Sequence, residues 1–139
     1  MESLSSTLCF TGILLFLLGL LTGFAVPKFR SSRIGLSAHL TGLQSGTFLV
    51  ALGLMWPKIA LWPSMSNLIG HTIWISLYMI YISLVLAAAF GAGRELPIAG
   101  GGITTTRAKQ AGVTALMAAG SLAVLAAIAA LLIGWHWQA

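Results

Sequence analysis

The run "RIGLSAHLTGLQSG", Arg33–Gly46, decides how the chain is read. It holds a histidine, His39, and an apolar stretch, "TFLVALGLMW", follows it directly. An ionisable side chain inside a bilayer-spanning segment is costly and needs a reason. On a helix turning about 100° per residue, Gly35, His39, Gly42, Gly46 and Gly53 fall within about 60° of one another. A stripe without side-chain bulk lets something approach the backbone. One occupant is a neighbouring helix, which small residues admit closely in membranes. The other is a planar ligand such as a haem, with His39 as the axial donor to its iron.

Composition fixes the medium. Of 139 residues, 58% are hydrophobic and 6% charged, where a soluble domain carries about a quarter charged residues. With a mean hydropathy of +0.99, this is an integral membrane protein. The acidic residues are Glu2 and Glu95; the basic ones are Lys28, Arg30, Arg33, Lys58, Arg94, Arg107 and Lys109. The net charge of +5 does not point to nucleic acid, because the cations punctuate apolar spans and act as topology signals. Cys9 is the single cysteine, so no intramolecular disulfide forms.

Charge-free windows of roughly 20 residues can cross a bilayer, and four occur. They predict helices over Leu8–Val26, Leu36–Trp56, Asn67–Gly91 and Gln110–Trp135. Pro27 and Pro57 stop the first two, and Ser66 or Asn67 caps the third. "GAGRELPIAGGGITTTRAKQ", Gly91–Gln110, is a loop. The expected fold is all-α: one domain, residues 1–139, folded as a four-helix transmembrane bundle.

Loops one and three carry three cations each and loop two only Lys58. The positive-inside rule then puts loops one and three in the cytoplasm and both termini outside, in a bacterial inner membrane. Trp56, Trp62, Trp135 and Trp137 would form an aromatic belt at the outer interface. The first span lacks a basic n-region and reads as a retained helix rather than a cleaved signal peptide.

On the third helix, Asn67, His71, Trp74, Tyr78 and Tyr81 lie within about 80° of arc, with Thr72, Ser76 and Ser83 opposite. Such a helix sits between partners. The aromatic stripe is either bundle packing or the wall of a substrate pocket, and Tyr78 and Tyr81 are the candidates to donate or accept a proton inside the membrane. Gly12, Gly19 and Gly23 on the first helix, and Gly112, Gly120 and Gly134 on the fourth, favour close association. His39 and His71 stand at opposite ends of a core about 30 Å thick and cannot share a metal. His71 and His136 share a side, but two imidazoles without carboxylate or thiolate make a poor zinc site. No Asp or Glu lies in any span, so carboxylate acid–base chemistry in the membrane is excluded.

"RIGLSAHLTGLQSGTFLVALGLMWP" (Arg33–Pro57) resembles the second helix of the hydroxylaminobenzene mutases, and "LAAAFGAGRELPIAGGG" (Leu86–Gly102) the loop after their third. Styrene oxide isomerase is a more distant relative, with a similar "AH" motif whose histidine binds haem b. The resemblance implies that His39 holds a haem iron, with Gly35, Gly42 and Gly46 beneath the macrocycle. It implies an isomerase that converts a small aromatic substrate, an N-aryl hydroxylamine, to a 2-aminophenol. The iron would act as Lewis acid, with Tyr78 or Tyr81 orienting the arene or relaying a proton. Ser45 and Ser83 stand where those relatives are expected to carry asparagines, and Met79 and Ala87 where the isomerase's acidic and tyrosine pocket residues would fall.

Three functions are therefore open: an aryl-hydroxylamine mutase, an epoxide isomerase, and a non-catalytic haem-binding or structural membrane subunit. Four short helices, with axes about 10 Å apart, leave little room inside for a macrocycle. A homo-oligomer in contact with membrane lipid is expected, a trimer by analogy with styrene oxide isomerase.

Overall fold

The computed structural model describes residues 2–59, 61, 63–93 and 103–136. Four long helices occur: α1 (Glu2–Ala25), α2 (Ser32–Met55), α3 (Pro63–Phe90) and α4 (Arg107–His136). No strand occurs among the described residues. The shortest helices have 24 residues and reach about 36 Å, longer than a hydrocarbon core.

Among the described residues, three segments are long and apolar enough to cross a membrane: Ser3–Lys28, Met65–Phe90 and Arg107–Gly134. Of the four expected spans, the second, α2, is not among them. α2 has the length, but Arg33, Ser37, His39, Thr41, Gln44, Ser45 and Thr47 dilute its apolarity.

The helix ends follow local chemistry. α1 starts at Glu2 rather than Leu8, and its hydroxyls turn back onto the helix instead of ending it: Thr7 donates to the Ser3 carbonyl and Thr11 to that of Thr7, both at 2.8 Å. α1 and α2 each leave through a 3₁₀ turn built on proline, Val26–Lys28 and Trp56–Lys58. Ser31 caps α2, accepting from the Ile34 amide. The expected cap of α3 at Ser66 or Asn67 is replaced by an earlier start at Pro63, a residue suited to a first turn. α3 ends at Gly91, φ +71°, and the Ala92 amide returns to the Ala87 carbonyl at 2.9 Å, a Schellman closure. Loop one completes that end: the Ser31 amide donates to the Ala88 carbonyl and Arg30 to that of Phe90.

α1 lies along α2, α3 packs on α2 and α1, and α4 packs on α3. The α1–α2 contact is backbone on backbone. A Cβ added at Gly46 would stand 2.6 Å from the Phe16 nitrogen, and one at Gly42 would stand 2.6 Å from the Gly19 Cα. One at Gly12 would stand 2.8 Å from the Gly46 oxygen. Leu8, Leu15, Leu49, Ile73 and Tyr81 fill the core beside this seam. Phe10, Phe24, Leu122, Leu125 and Ile133 point outward, as side chains facing lipid do.

Trp56 is also corrected. It is 1% exposed and donates its indole N–H to the Ser66 hydroxyl at 3.1 Å, so it joins α2 to α3 instead of standing in a belt. Trp62, Trp137 and the side chain of Trp135 lie outside the described residues.

The seam predicts opposite outcomes for two glycine substitutions. Gly46→Ala drives a methyl into α1 backbone and lowers stability by about 1–3 kcal/mol. Gly112→Ala meets nothing within 4 Å and is neutral, or stabilising by up to about 1 kcal/mol through helix propensity. Thermal unfolding in detergent compares the two; equal effects would contradict the seam.

Candidate functional site

Three side chains from three helices converge on one turn of α1. The His39 ring of α2 places Nδ1 2.7 Å from the Gly19 carbonyl. A carbonyl only accepts, so Nδ1 carries the proton, and in the neutral ring the lone pair belongs to Nε2. One residue earlier on α1, the Leu18 carbonyl accepts from the Tyr81 hydroxyl of α3 at 2.9 Å and from Thr22 at 2.8 Å. The Tyr81 and Thr22 hydroxyls also touch each other at 2.5 Å. Three oxygens thus share two protons, in a place where Tyr81 and Thr22 are both buried.

Glycines make this convergence possible. A Cβ at Gly23 would stand 2.8 Å from Nδ1 of His39, and one at Gly42 would stand 3.0 Å from the Tyr81 ring. Any larger residue at Gly23 would displace the imidazole.

His39 also opens outward. With Leu20, Gly23, Phe24, Val26, Pro27 and Leu36 it lines a groove of about 440 Å³ on the outside of the α1–α2 pair. Apart from the imidazole, its walls are apolar. A protonated Nδ1 held by a backbone carbonyl is the usual arrangement behind a metal-ligating imidazole, because it fixes the tautomer and ring orientation. The donor set, one neutral imidazole beside an apolar wall, fits a haem iron. Among the described residues no cluster of three His, Cys, Asp or Glu could hold a bare ion.

The other expected site residues fall elsewhere. Gly42 and Gly46 meet α1 backbone and Gly35 meets the Phe29 ring, so none of them lies open to a macrocycle. Of the stripe, His39 alone lines the groove. Tyr78 donates to the Thr11 carbonyl at 2.7 Å, well along α1 from Gly19. Ser83 is buried and donates to the Ile80 carbonyl of its own helix. Ser45 is buried on α2. None of Tyr78, Tyr81, Ser45 and Ser83 lines the His39 groove; Tyr81 is brought near His39, and the other three are not. His71 is exposed and donates to the Asn67 carbonyl at 2.8 Å, and the His136 side chain lies outside the described residues. Sequence reading missed Thr22. Its position one residue before Gly23, on the turn after Gly19, was the available signal.

The family model for styrene oxide isomerase matches residues 4–137. Hydroxylaminobenzene mutase HabB of Ectopseudomonas oleovorans is 42% identical over 124 residues, covering 88% of this chain and 76% of that protein. Hydroxylaminobenzene mutase HabA of the same organism is 41% identical over 128 residues, covering 89% and 93%. No solved structure matches the chain.

A double-mutant cycle tests the shared-proton network. Tyr81→Phe and Thr22→Val should each cost about 1 kcal/mol. Measured by unfolding, the pair should depart from additivity by at least about 0.5 kcal/mol. Strict additivity would mean that the two hydroxyls act independently.

Proposed function

The chain belongs to the styrene oxide isomerase family, and from that premise we propose that it rearranges N-aryl hydroxylamines to 2-aminophenols within the membrane. The carrying observation is the identity of 41–42% to two hydroxylaminobenzene mutases along 88–89% of the chain. Enzymes named for this mutase reaction are isomerases, and an isomerase needs no oxidant. In N-phenylhydroxylamine the N–O bond breaks, a C–O bond forms at the ortho carbon, that carbon gives up its proton, and the nitrogen takes one up as NH becomes NH2. Atoms and electrons balance.

The costly event is charge developing on the departing oxygen. No carboxylate lies in the described helices beyond Glu2 to meet it. We assign His39 as the residue that holds a haem b, through the nitrogen that the Gly19 carbonyl leaves free. When bound there, haem supplies a Lewis acid of the kind this bond cleavage needs. Tyr81 and Thr22 are positioning residues: they fix the Leu18–Gly19 turn whose carbonyl aims the imidazole. Leu20, Phe24 and Leu36 form an apolar wall suited to an arene arriving laterally from the bilayer. Tyr78 and Ser83 have their hydroxyl protons committed to carbonyls and take no part in this assignment.

The groove is open, and beside it Leu36, Leu40, Gln44 and Thr47 of α2 are exposed. An exposed glutamine halfway along a membrane helix is expensive in lipid. This supports a homo-oligomer in which a second protomer covers α2 and closes the groove, with a trimer as the expected number. It also supports α2 as a fourth crossing whose outer face meets protein rather than lipid. Loops one and three then lie on the cytoplasmic side of a bacterial inner membrane, with both termini outside.

Epoxide isomerisation is the second reading, favoured by the description of the matching family model. One preparation offered N-phenylhydroxylamine and styrene oxide separates the two. The expected result is 2-aminophenol as the main product, from protein with a Soret band. His39→Ala should lose the band, and turnover should fall by about a thousandfold, the equivalent of several kcal/mol of Lewis-acid stabilisation. Colourless, active protein would overturn the haem assignment. Phenylacetaldehyde as the faster product would overturn the substrate.

A further inference from the structure

The cations gather at one end of the bundle. Lys28, Arg30, Arg33, Arg107 and Lys109 are all exposed there. Lys109 lies 4.7 Å above the Phe90 ring and Arg30 donates to the Phe90 carbonyl, which joins loop one and the start of α4 at one point. No Asp or Glu stands at this end among the described residues; Glu95 lies outside them.

Beside this cluster a groove of about 660 Å³ runs down α4. Its upper part carries Thr104, Thr105, Arg107 and Gln110, and its lower part includes Ala115 and Ala118. The side chains of Thr104, Thr105 and Arg107 make no hydrogen bond or ion pair with other described residues. From Arg107 to Ala118 the helix rises about 16 Å. Hydroxyls and a guanidinium at the top, with alanines below and the Thr114 hydroxyl accepting from Gln110, match an amphiphile with an anionic head.

We propose that this groove binds an anionic glycerophospholipid, its phosphate at Arg107, Thr104 and Thr105 and one acyl chain over Ala115 and Ala118. Arg107 supplies a planar fork suited to a phosphate. Each cation near an anionic membrane surface favours such a lipid by a comparable increment; five stand at this end of the bundle, and Arg107 lines the groove itself. A soluble phosphate leaves the alanine floor bare. A second copy of the chain would bring its own unpaired cations against these.

The test uses delipidated full-length protein in detergent. Its unfolding midpoint is read with dioleoyl phosphatidylglycerol, with dioleoyl phosphatidylcholine and with sn-glycerol 1-phosphate. Phosphatidylglycerol should raise the midpoint by about 4 °C, and the other two by less than half of that. Arg107→Ala and Ala115→Trp, both at exposed positions, should each remove most of the shift. Lys58→Ala, at the other end, should keep it. An equal shift with phosphatidylcholine overturns the charge preference, and an equal shift with glycerol phosphate overturns the lipid. A shift lost in Arg107→Ala but kept in Ala115→Trp reduces the lipid to a diffuse counter-ion and overturns the groove. A shift kept in both variants overturns the site.

Discussion

Two helix backbones touching without side chains between them set the rest of this structure. Gly12, Gly19, Gly42 and Gly46 bring α1 and α2 into direct contact, which dispersion and close fit can stabilise in lipid, where no hydrophobic force draws helices together. At that separation the His39 ring reaches the Gly19 carbonyl across the seam. A wider spacing would leave the imidazole without its partner and the carbonyl with its ordinary helical bond alone. The packing and the candidate site are thus one arrangement. The glycines hold the helices close, and closeness fixes the tautomer.

Much of this was legible in the sequence. Charge-free windows located four helices, and the glycine spacing located the stripe. What the stripe faces was not legible, because a bare groove admits a helix or a flat ligand equally well. The structure fills most of it with α1 and leaves His39 at its rim. Trp56 misled because aromatic residues at helix ends suit both an interface and a buried corner; the deciding partner, Ser66, lies on another element. The position of Thr22 between Gly19 and Gly23 hinted at a place on the seam, but its role needs Tyr81, 59 positions away. α2 was read as a span from its lack of charge, while its uncharged polar residues lower its apolarity just as effectively.

α2 turns Gln44 and Thr47 outward from this chain. Within it, hydroxyls that looked available for catalysis are spent on carbonyls: Tyr78 on Thr11, Tyr81 on Leu18, Ser83 on Ile80. Those bonds tie α3 to α1 or steady α3 itself. The imidazole is then the group with a nitrogen to offer, which concentrates the proposed chemistry on one residue. At the cation-rich end the same economy holds, since Arg30 and Lys109 are drawn to Phe90 while Arg107 stays unpaired among the described residues.

A density map of the protein purified in its native lipids, at a resolution that orients the His39 ring, tests the central assignment most directly. The account predicts Nδ1 against the Gly19 carbonyl and a flat, metal-centred density at Nε2, in contact with Leu20, Phe24 or Leu36. A ring turned so that Nε2 meets only polypeptide, with no such density beside it, would contradict it.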